Sequence, residues 1–224
     1  MTVYKEKLKC GAEVIWSVPL SGFGHVADEQ PLPYIHFNGI ELTPRYGAEE
    51  ALIPSSIQSL PLPYGKLKKN WPIQQRLFNL TRKKINIYWR NLFKTFCRKD
   101  KMFYFLEQLQ YKSIIDGFVG ESPLIKYTRK FEIGTDWVIV RDRVFFKKKM
   151  EFDYCHISPI CFFEDCKNID IIVSLQTNYK KEVSSSTGKA ICLSKKNENI
   201  TFKNNEVLMW EYKYILKDGV YEKK

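Results

Sequence analysis

The sequence lacks the features that would place a protein in a membrane or send it out of the cell. It has no run of eighteen or more apolar residues, which is the signature of a membrane-spanning helix. The opening residues MTVYKEKLKCGAEVIW carry charges where a signal peptide needs an apolar core. We therefore expect a cytoplasmic protein without a transmembrane segment.

Cysteine and histidine are scarce, with six and three in 224 residues. Six cysteines are too few for a disulfide scaffold in a chain of this length, so we expect reduced thiols. Cys155, His156, Cys161 and Cys166 fall close together, but their spacing is not that of a structural zinc site, whose ligands come in two closely spaced pairs. We therefore expect no metal and no cofactor.

The common catalytic signatures are also missing. The chain has no Gly-x-Ser-x-Gly elbow, no P-loop and no Gly-x-Gly-x-x-Gly run, so nothing supports that kind of serine hydrolase or nucleotide chemistry. His36 lies beside a predicted hairpin turn and is expected to be structural. Asp142 stands between Arg141 and Arg143 on a predicted strand, where a cross-strand ion-pair lattice is a better interpretation than a catalytic acid.

Acidic residues are nearly absent from one segment, residues 66–101. It holds twelve basic residues and one acidic residue, so it carries the whole formal net charge of +11. Its apolar residues recur at helical spacing, which predicts a basic amphipathic helix. The basic side would attract an acidic polysaccharide, nucleic acid or a membrane surface; the alternative is a docked helix with a merely solvated outer face. The candidate anion-binding residues are Arg76, Lys83, Arg90, Lys94 and Arg98.

Aromatic residues, by contrast, are plentiful at 15% of the chain, which favours β-structure. We predict a mostly β fold: an antiparallel β-sandwich with a basic amphipathic helical insertion, forming a single domain over residues 1–224. Its parts are N-terminal strands and loop (1–65), the basic helical insertion (66–118, with a second helix at about 101–115) and a β-rich C-terminal part (119–224).

Turn residues define the predicted strands. Tyr34–Phe37 and Ile40–Thr43 flank Asn38-Gly39, the strongest short hairpin signal, and Tyr127–Ile133 and Trp137–Phe146 form a second predicted hairpin. The other predicted strands are 8–20, Lys149–Tyr154, Asp170–Thr177, Ala190–Ser194, Ile200–Phe202 and Val207–Leu216.

One loop combines glycine, histidine and aspartate. In Gly22–Asp28, glycines flank His25, and Asp28 follows three residues later. Such a loop can present an imidazole that a carboxylate orients, as in acid–base catalysis. The spacing allows this contact without enforcing it.

This loop and the hairpin after it resemble the β-domain of heparinase II/III-like polysaccharide lyases. The matching run comprises Gly24–Asp28, Tyr34–Gly39 and the stop at Tyr46-Gly47, and residues 127–144 resemble a hairpin of the same domain. The resemblance covers about 70 residues. It implies an acidic polysaccharide as partner, and it implies a catalytic site containing His25, Asp28 and either Tyr34 or Tyr46.

The chain also departs from that family. It has no α-toroid domain, it has one histidine where the family loop has a pair, and the basic segment replaces the Asn-Thr segment after the first hairpin. The resemblance therefore implies a carbohydrate-associated β-domain that is non-catalytic or incomplete alone, completed by an α-toroid domain on another chain. Two alternatives stay open: a polyanion- or membrane-surface-binding module acting through the basic helix, and an active polysaccharide lyase.

Overall fold

The computed structural model describes residues 3–18, 34–37, 40–43, 63–81, 101–106, 109–163, 169–185 and 188–217. Sixteen strands and one helix lie within these ranges. The elements are β1 (Val3–Lys7), β2 (Glu13–Ser17), β3 (Tyr34–Phe37), β4 (Ile40–Glu41), β5 (Tyr64–Leu67), α1 (Ile73–Thr81), β6 (Met102–Tyr104), β7 (Gln110–Ile114), β8 (Gly117–Glu121), β9 (Ile125–Ile133), β10 (Trp137–Phe146), β11 (Met150–Phe163), β12 (Ile169–Val173), β13 (Tyr179–Ser185), β14 (Gly188–Glu198), β15 (Thr201–Phe202) and β16 (Val207–Leu216).

The strands pair antiparallel in three sheets. Sheet 1 has the order β1-β2-β3-β4, sheet 2 the order β12-β16-β10-β9-β8-β7, and sheet 3 the order β13-β14-β11-β5-β6, with β15 paired to β11. The inner faces of sheets 2 and 3 share one hydrophobic core, in which Phe146 of sheet 2 lies edge-on to Phe105 and stacks on Phe202. The mostly β, antiparallel part of the predicted fold is therefore confirmed.

The predicted helical insertion at 66–118 is not supported. Strands β6, β7 and β8 lie where its second half was expected, and β5 occupies its first residues. Aromatic residues in 101–115 fit helical spacing, but here the pairing of β6 with β5 and of β7 with β8 decides the structure. Residues 82–100 lie outside the described part of the chain.

Helix α1 also packs differently from the prediction. Its apolar residues Ile73 and Leu77 are 65% and 49% exposed, whereas Gln75 is buried. Trp71, just before the helix, enters the core in their place. The helix therefore docks through its N-terminal flank and Gln75. Its apolar residues did not correctly predict which side of the helix is buried.

A β-bulge in β11 sets which side chains face outward. Between Phe152 and Tyr154 the pairing with β5 shifts by one residue, because Asp153 is inserted. Phe152 and Cys155 consequently both face the core, while the alternation after the bulge turns Tyr154 and His156 to the other face. A second shift occurs further along β11, in its pairing with β14.

The two predicted hairpins are both present as paired strands, β3–β4 and β9–β10. The predicted reduced state of all cysteines is wrong for Cys192, which is disulfide-bonded, whereas Cys10 and Cys155 are free. Disulfides persist mainly in oxidising compartments, so the cytoplasmic location stays a prediction that this bond disfavours. Among the described residues, no helix is long and apolar enough to span a membrane.

Candidate functional site

Two of the predicted site residues, Tyr34 and Arg76, lie in the described part of the chain. His25, Asp28, Tyr46, Lys83, Arg90, Lys94 and Arg98 lie outside it. The structure therefore neither brings His25 to Tyr34 nor separates them.

Tyr34 belongs to a polar cluster on sheet 1. Its hydroxyl donates a hydrogen bond to Glu41 Oε1 at 2.7 Å, and its ring lies 5.2 Å from the His36 ring. His36 Nε2 is 3.1 Å from Glu13 Oε2, and a hydrogen bond from Lys5 lowers the pKa of the Glu13 carboxyl. Each acid in this cluster thus already has a partner, as expected of structural polar contacts on a sheet.

Arg76 folds back onto the start of its own helix. Its Nε donates to the carbonyl oxygen of Trp71 at 3.0 Å. The guanidinium therefore helps to fix the entry of α1, and this contact competes with the predicted outward, anion-binding role.

Asp142 pairs across strands, as the sequence predicted, but inside the core. Its carboxylate accepts two hydrogen bonds from Arg129, from Nε and Nη2, each at 2.8 Å, and both side chains are fully buried. The hydroxyl of Tyr127 accepts a further bond from Arg129 Nη2 at 3.3 Å. No ligand reaches this pair from solvent, so its role is structural.

The outer face of sheet 3 carries a cluster of rings that we call the aromatic platform. Its members are Tyr64, Tyr104, Tyr154, His156 and Tyr179. Tyr64 and His156 are cross-strand partners, and their rings stack at 4.6 Å with an angle of 6°. The Tyr104 ring continues the row at 6.3 Å from Tyr64, while Tyr154 and Tyr179 present their edges to His156.

His156 is held neutral at the centre of the platform. It is 2% exposed, and burial, assisted by the charge of Lys196, lowers its pKa to about 4. Its Nδ1 is 2.9 Å from the hydroxyl oxygen of Ser194. Ser194 is only 1% exposed, so this serine–histidine pair cannot present a nucleophile to a substrate.

Charged side chains surround the platform. Lys196 lies over the ring of Tyr154 at 5.8 Å and pairs with Glu198 at 2.7 Å. Lys66 pairs with Asp153 at 3.3 Å. The rings are therefore bordered by ion pairs whose members are partly exposed, which is a common arrangement at the edge of a binding surface.

The platform was not predicted from the sequence, where Cys155 and His156 were interpreted as members of one group of possible metal ligands. The bulge places Cys155 in the core, where burial strongly raises its thiol pKa, and His156 on the outer face. The two cannot bind one metal ion, and no group of three metal ligands occurs among the described residues. The alternation in Tyr64-Gly65-Lys66 and Tyr154-Cys155-His156 was the local signal for these rings.

No family model matches the chain, and no curated protein matches it in sequence. Solved structures with a weak likeness to this chain include a mutant of the heparan sulfate lyase HepC from Pedobacter heparinus, with a TM-score of 0.44 and 9% identity over 97% of this chain and 35% of the other. HepC itself has a TM-score of 0.38 and 9% identity over 93% of this chain and 33% of the other. The 4-alpha-glucanotransferase from Thermococcus litoralis has a TM-score of 0.36 and 11% identity over 97% of this chain and 40% of the other.

The chain thus spans about a third of the lyase structures and 40% of the glucanotransferase. The likeness to the lyase is weak, and it does not establish membership of a lyase family. It supplies no argument about the activity of this chain.

Proposed function

We propose that this chain is a carbohydrate-binding β-domain, non-catalytic on its own, which holds a saccharide against the aromatic platform. The observation that carries the proposal is the row of rings formed by Tyr104, Tyr64 and His156 on the outer face of sheet 3. Tyr64 and His156 cover each other's faces, so the C–H groups of a sugar would pack against the exposed parts of the half-buried tyrosine rings.

The platform also supplies polar groups at the edges of its rings. Tyrosine combines a large apolar surface with a hydroxyl that donates and accepts, as the hydroxyls of a sugar require. His156 is 2% exposed, its Nδ1 is engaged by Ser194 and its ring stacks on Tyr64, so the imidazole supports the tyrosines and does not itself meet the ligand. The polar contacts to a sugar therefore fall to the half-buried tyrosines.

The same geometry argues against catalysis at this surface. A general acid or base works best with a pKa near the operating pH, and the pKa of His156 is about 4. The carboxylates that border the platform, Asp153 and Glu198, are both paired with lysines. The described residues of the platform therefore bind more readily than they transfer protons.

The test is isothermal titration calorimetry with neutral and acidic oligosaccharides. We expect Tyr64→Ala to weaken binding about tenfold, which corresponds to roughly 1.4 kcal/mol and matches the loss of one aromatic packing contact. Tyr64→Phe should keep most of the affinity, because the ring remains. Tyr4→Ala is the matched control, since Tyr4 is also half-buried but lies on sheet 1.

Absence of binding to every oligosaccharide, or equal losses in Tyr64→Ala and Tyr4→Ala, would rule out the platform as the binding surface. Release of unsaturated sugar products, followed by ultraviolet absorbance, would overturn the non-catalytic part. In that event His25, Asp28, Tyr34 and Tyr46 become the first residues to replace, because the lyase alternative depends on them.

A further inference from the structure

A second surface feature lies away from the platform, where the connection from β5 to α1 meets the β10–β11 hairpin. It is a pocket of about 270 Å³. This volume lies just below the range of about 300–1,000 Å³ that is usual for ligand pockets, so it suits a small ligand. The residues that line it are Leu67, Lys69, Asn70, Pro72, Leu124, Lys149, Met150 and Glu151.

The pocket has an apolar floor and a cationic rim. Leu67, Leu124 and Met150 are buried and belong to the core, so the floor is part of the packed interior. Lys69 and Lys149 are exposed at the rim, and neither belongs to a helix or strand. An apolar floor with charges at one side fits a ligand that is itself divided into an apolar and an anionic part.

Main-chain hydrogen bonds hold the two sides of the pocket together. The amide of Lys68 donates to the carbonyl of Glu151 at 2.9 Å, and the amide of Lys147 donates to the carbonyl of Leu124 at 2.8 Å. The lysines of the rim therefore extend from backbone segments whose separation is fixed. This preorganisation reduces the entropy that a ligand would have to overcome.

The rim has an excess of positive charge around one carboxylate. Glu151 Oε1 is 2.6 Å from Lys149 Nζ; the hydrogen bond from Lys149, together with the charges of Lys149, Lys69 and Lys68, holds the pKa of the Glu151 carboxyl below its usual value. Three ammonium groups thus act on a single acid. An anion is therefore stabilised at this position, and the cluster retains positive charge beyond what Glu151 neutralises.

We propose that this pocket binds a phosphate or sulfate group whose organic part lies on the apolar floor. Lysine ammonium groups act as point charges with three donors each, which suits the tetrahedral oxygens of such groups. The site is separate from the aromatic platform: Glu151 and His156 lie five residues apart on β11, roughly 16 Å at the usual strand rise. It therefore does not depend on the carbohydrate-binding proposal.

The experiment is a titration of the full chain, followed by amide chemical shifts at constant ionic strength. The probes are inorganic phosphate, inorganic sulfate, phenyl phosphate, phenyl sulfate and phenol. We expect an ester to bind several-fold more tightly than its inorganic ion, because only the ester covers the apolar floor. Whether the phosphate or the sulfate series binds more tightly identifies the source of the anionic group. Shifts should concentrate at Lys69, Asn70 and Lys149.

Three variants test the rim. Lys69→Ala/Lys149→Ala should weaken binding of the esters at least about tenfold, since charge-assisted hydrogen bonds are among the stronger polar contacts. Lys112→Ala/Lys189→Ala is the matched control, because it removes two exposed lysines that do not line the pocket. Glu151→Gln should tighten binding several-fold, because it removes the carboxylate that competes for Lys149.

An equal loss in the control would assign the effect to general surface charge and overturn the proposal. Failure of every ester to bind, or weaker binding by Glu151→Gln with the fold intact by circular dichroism, would overturn it as well. Equal affinities for esters and inorganic ions would contradict the role of the apolar floor. Tyr64→Ala should leave this binding unchanged, so the two proposals fail or hold independently.

Discussion

Sheet 2 buries a charged pair on its inner face, whereas sheet 3 carries aromatic rings on its outer face. In sheet 2, Arg129 and Asp142 lie where apolar side chains are usual, and the solvent face holds ion pairs such as those of Arg141 with Glu132 and Glu211. In sheet 3 the inner face is phenylalanine-rich and the outer face is aromatic.

The difference separates residues that serve stability from residues that serve binding. The buried pair is inaccessible to solvent, and its two members bond each other within sheet 2, so the pair can contribute to stability but not to ligand binding. The platform leaves half-buried tyrosines at the surface without completing a second core around them. Changes to the buried pair are therefore expected to affect folding, and changes to the platform are expected to affect ligand binding.

The strongest test of this contrast is Asp142→Ala. Removal of the carboxylate leaves the Arg129 charge buried and uncompensated, which should cost about 3–5 kcal/mol in the free energy of unfolding. Urea unfolding followed by tryptophan fluorescence measures it. Arg129→Met/Asp142→Leu is the control and should be near wild-type stability; a single-variant cost below about 1 kcal/mol would contradict the burial of an essential pair.

His156 gives sheet 3 a stability term that depends on pH. Its pKa of about 4 in the folded state lies below the unfolded value of about 6.5, so the unfolded chain takes up the proton first. The contribution is complete above pH 6.5 and is lost as the pH falls toward 4, by about 3 kcal/mol in total.

Unfolding free energies measured from pH 7 to pH 4.5 should therefore decline in the wild type. They should decline much less in His156→Gln. The lowered pKa values of Glu13, Glu121, Glu151 and Glu198 add to the decline only below about pH 5, and they do so in both proteins, so the difference between the two slopes belongs to His156. Equal slopes for the two proteins would show that His156 is not held in its neutral form.

Two glycines, one in sheet 2 and one in sheet 3, leave no room for a larger side chain. A methyl group at Gly117 in sheet 2 would lie 2.0 Å from the main-chain oxygen of Arg129, whereas one at Gly65 in sheet 3 would lie 2.6 Å from the Phe152 ring and 2.8 Å from the main-chain oxygen of Tyr154. Alanine at either site should destabilise by about 1–3 kcal/mol, with Gly117→Ala the larger because its clash with the backbone is the closer one. Thermal unfolding measures both, and the reverse order would contradict this account.

The smallest effect is expected for Arg141→Ala. Arg141 is about half exposed and bridges Glu132 and Glu211 on the solvent face of sheet 2. Exposed ion pairs contribute little, so the loss should stay below about 1 kcal/mol and shrink further in high salt. A cost comparable to that of Asp142→Ala would show that position on the sheet does not decide the value of an ion pair.

The strands that sequence predicts best are those whose ends are set by local turn chemistry. Strand β16 has the predicted bounds, Val207–Leu216, and the hairpin of β9 and β10 forms around Gly134-Thr135-Asp136 as expected. The helix predicted at about 101–115 fails because its pattern fits either period, and strand pairing decides between them: β6 pairs with the distant β5, and β7 pairs with β8, the next strand.

The position of the candidate site could not be predicted from the sequence, because it also depends on strand pairing. Its rings come from four strands, from Tyr64 on β5 to Tyr179 on β13, and only the sheet order brings them together. Likewise, the cationic rim of the pocket combines Lys69 and Lys149 from two separate segments, and the basic segment recognised in the sequence includes only Lys69. Charge and aromatic content indicate the kinds of surface present, while long-range pairing decides where they form.

The extra residue in β11 has a consequence for how the strand tolerates a change of length. Deleting Asp153 would place Tyr154 directly after Phe152, so Tyr154, Cys155 and His156 would keep their pairing with β5 and their faces. Straightening the strand with Asp153 retained would instead turn Cys155 to the outer face and His156 into the core. The bulge therefore lets β11 gain or lose one residue at this point without loss of the platform.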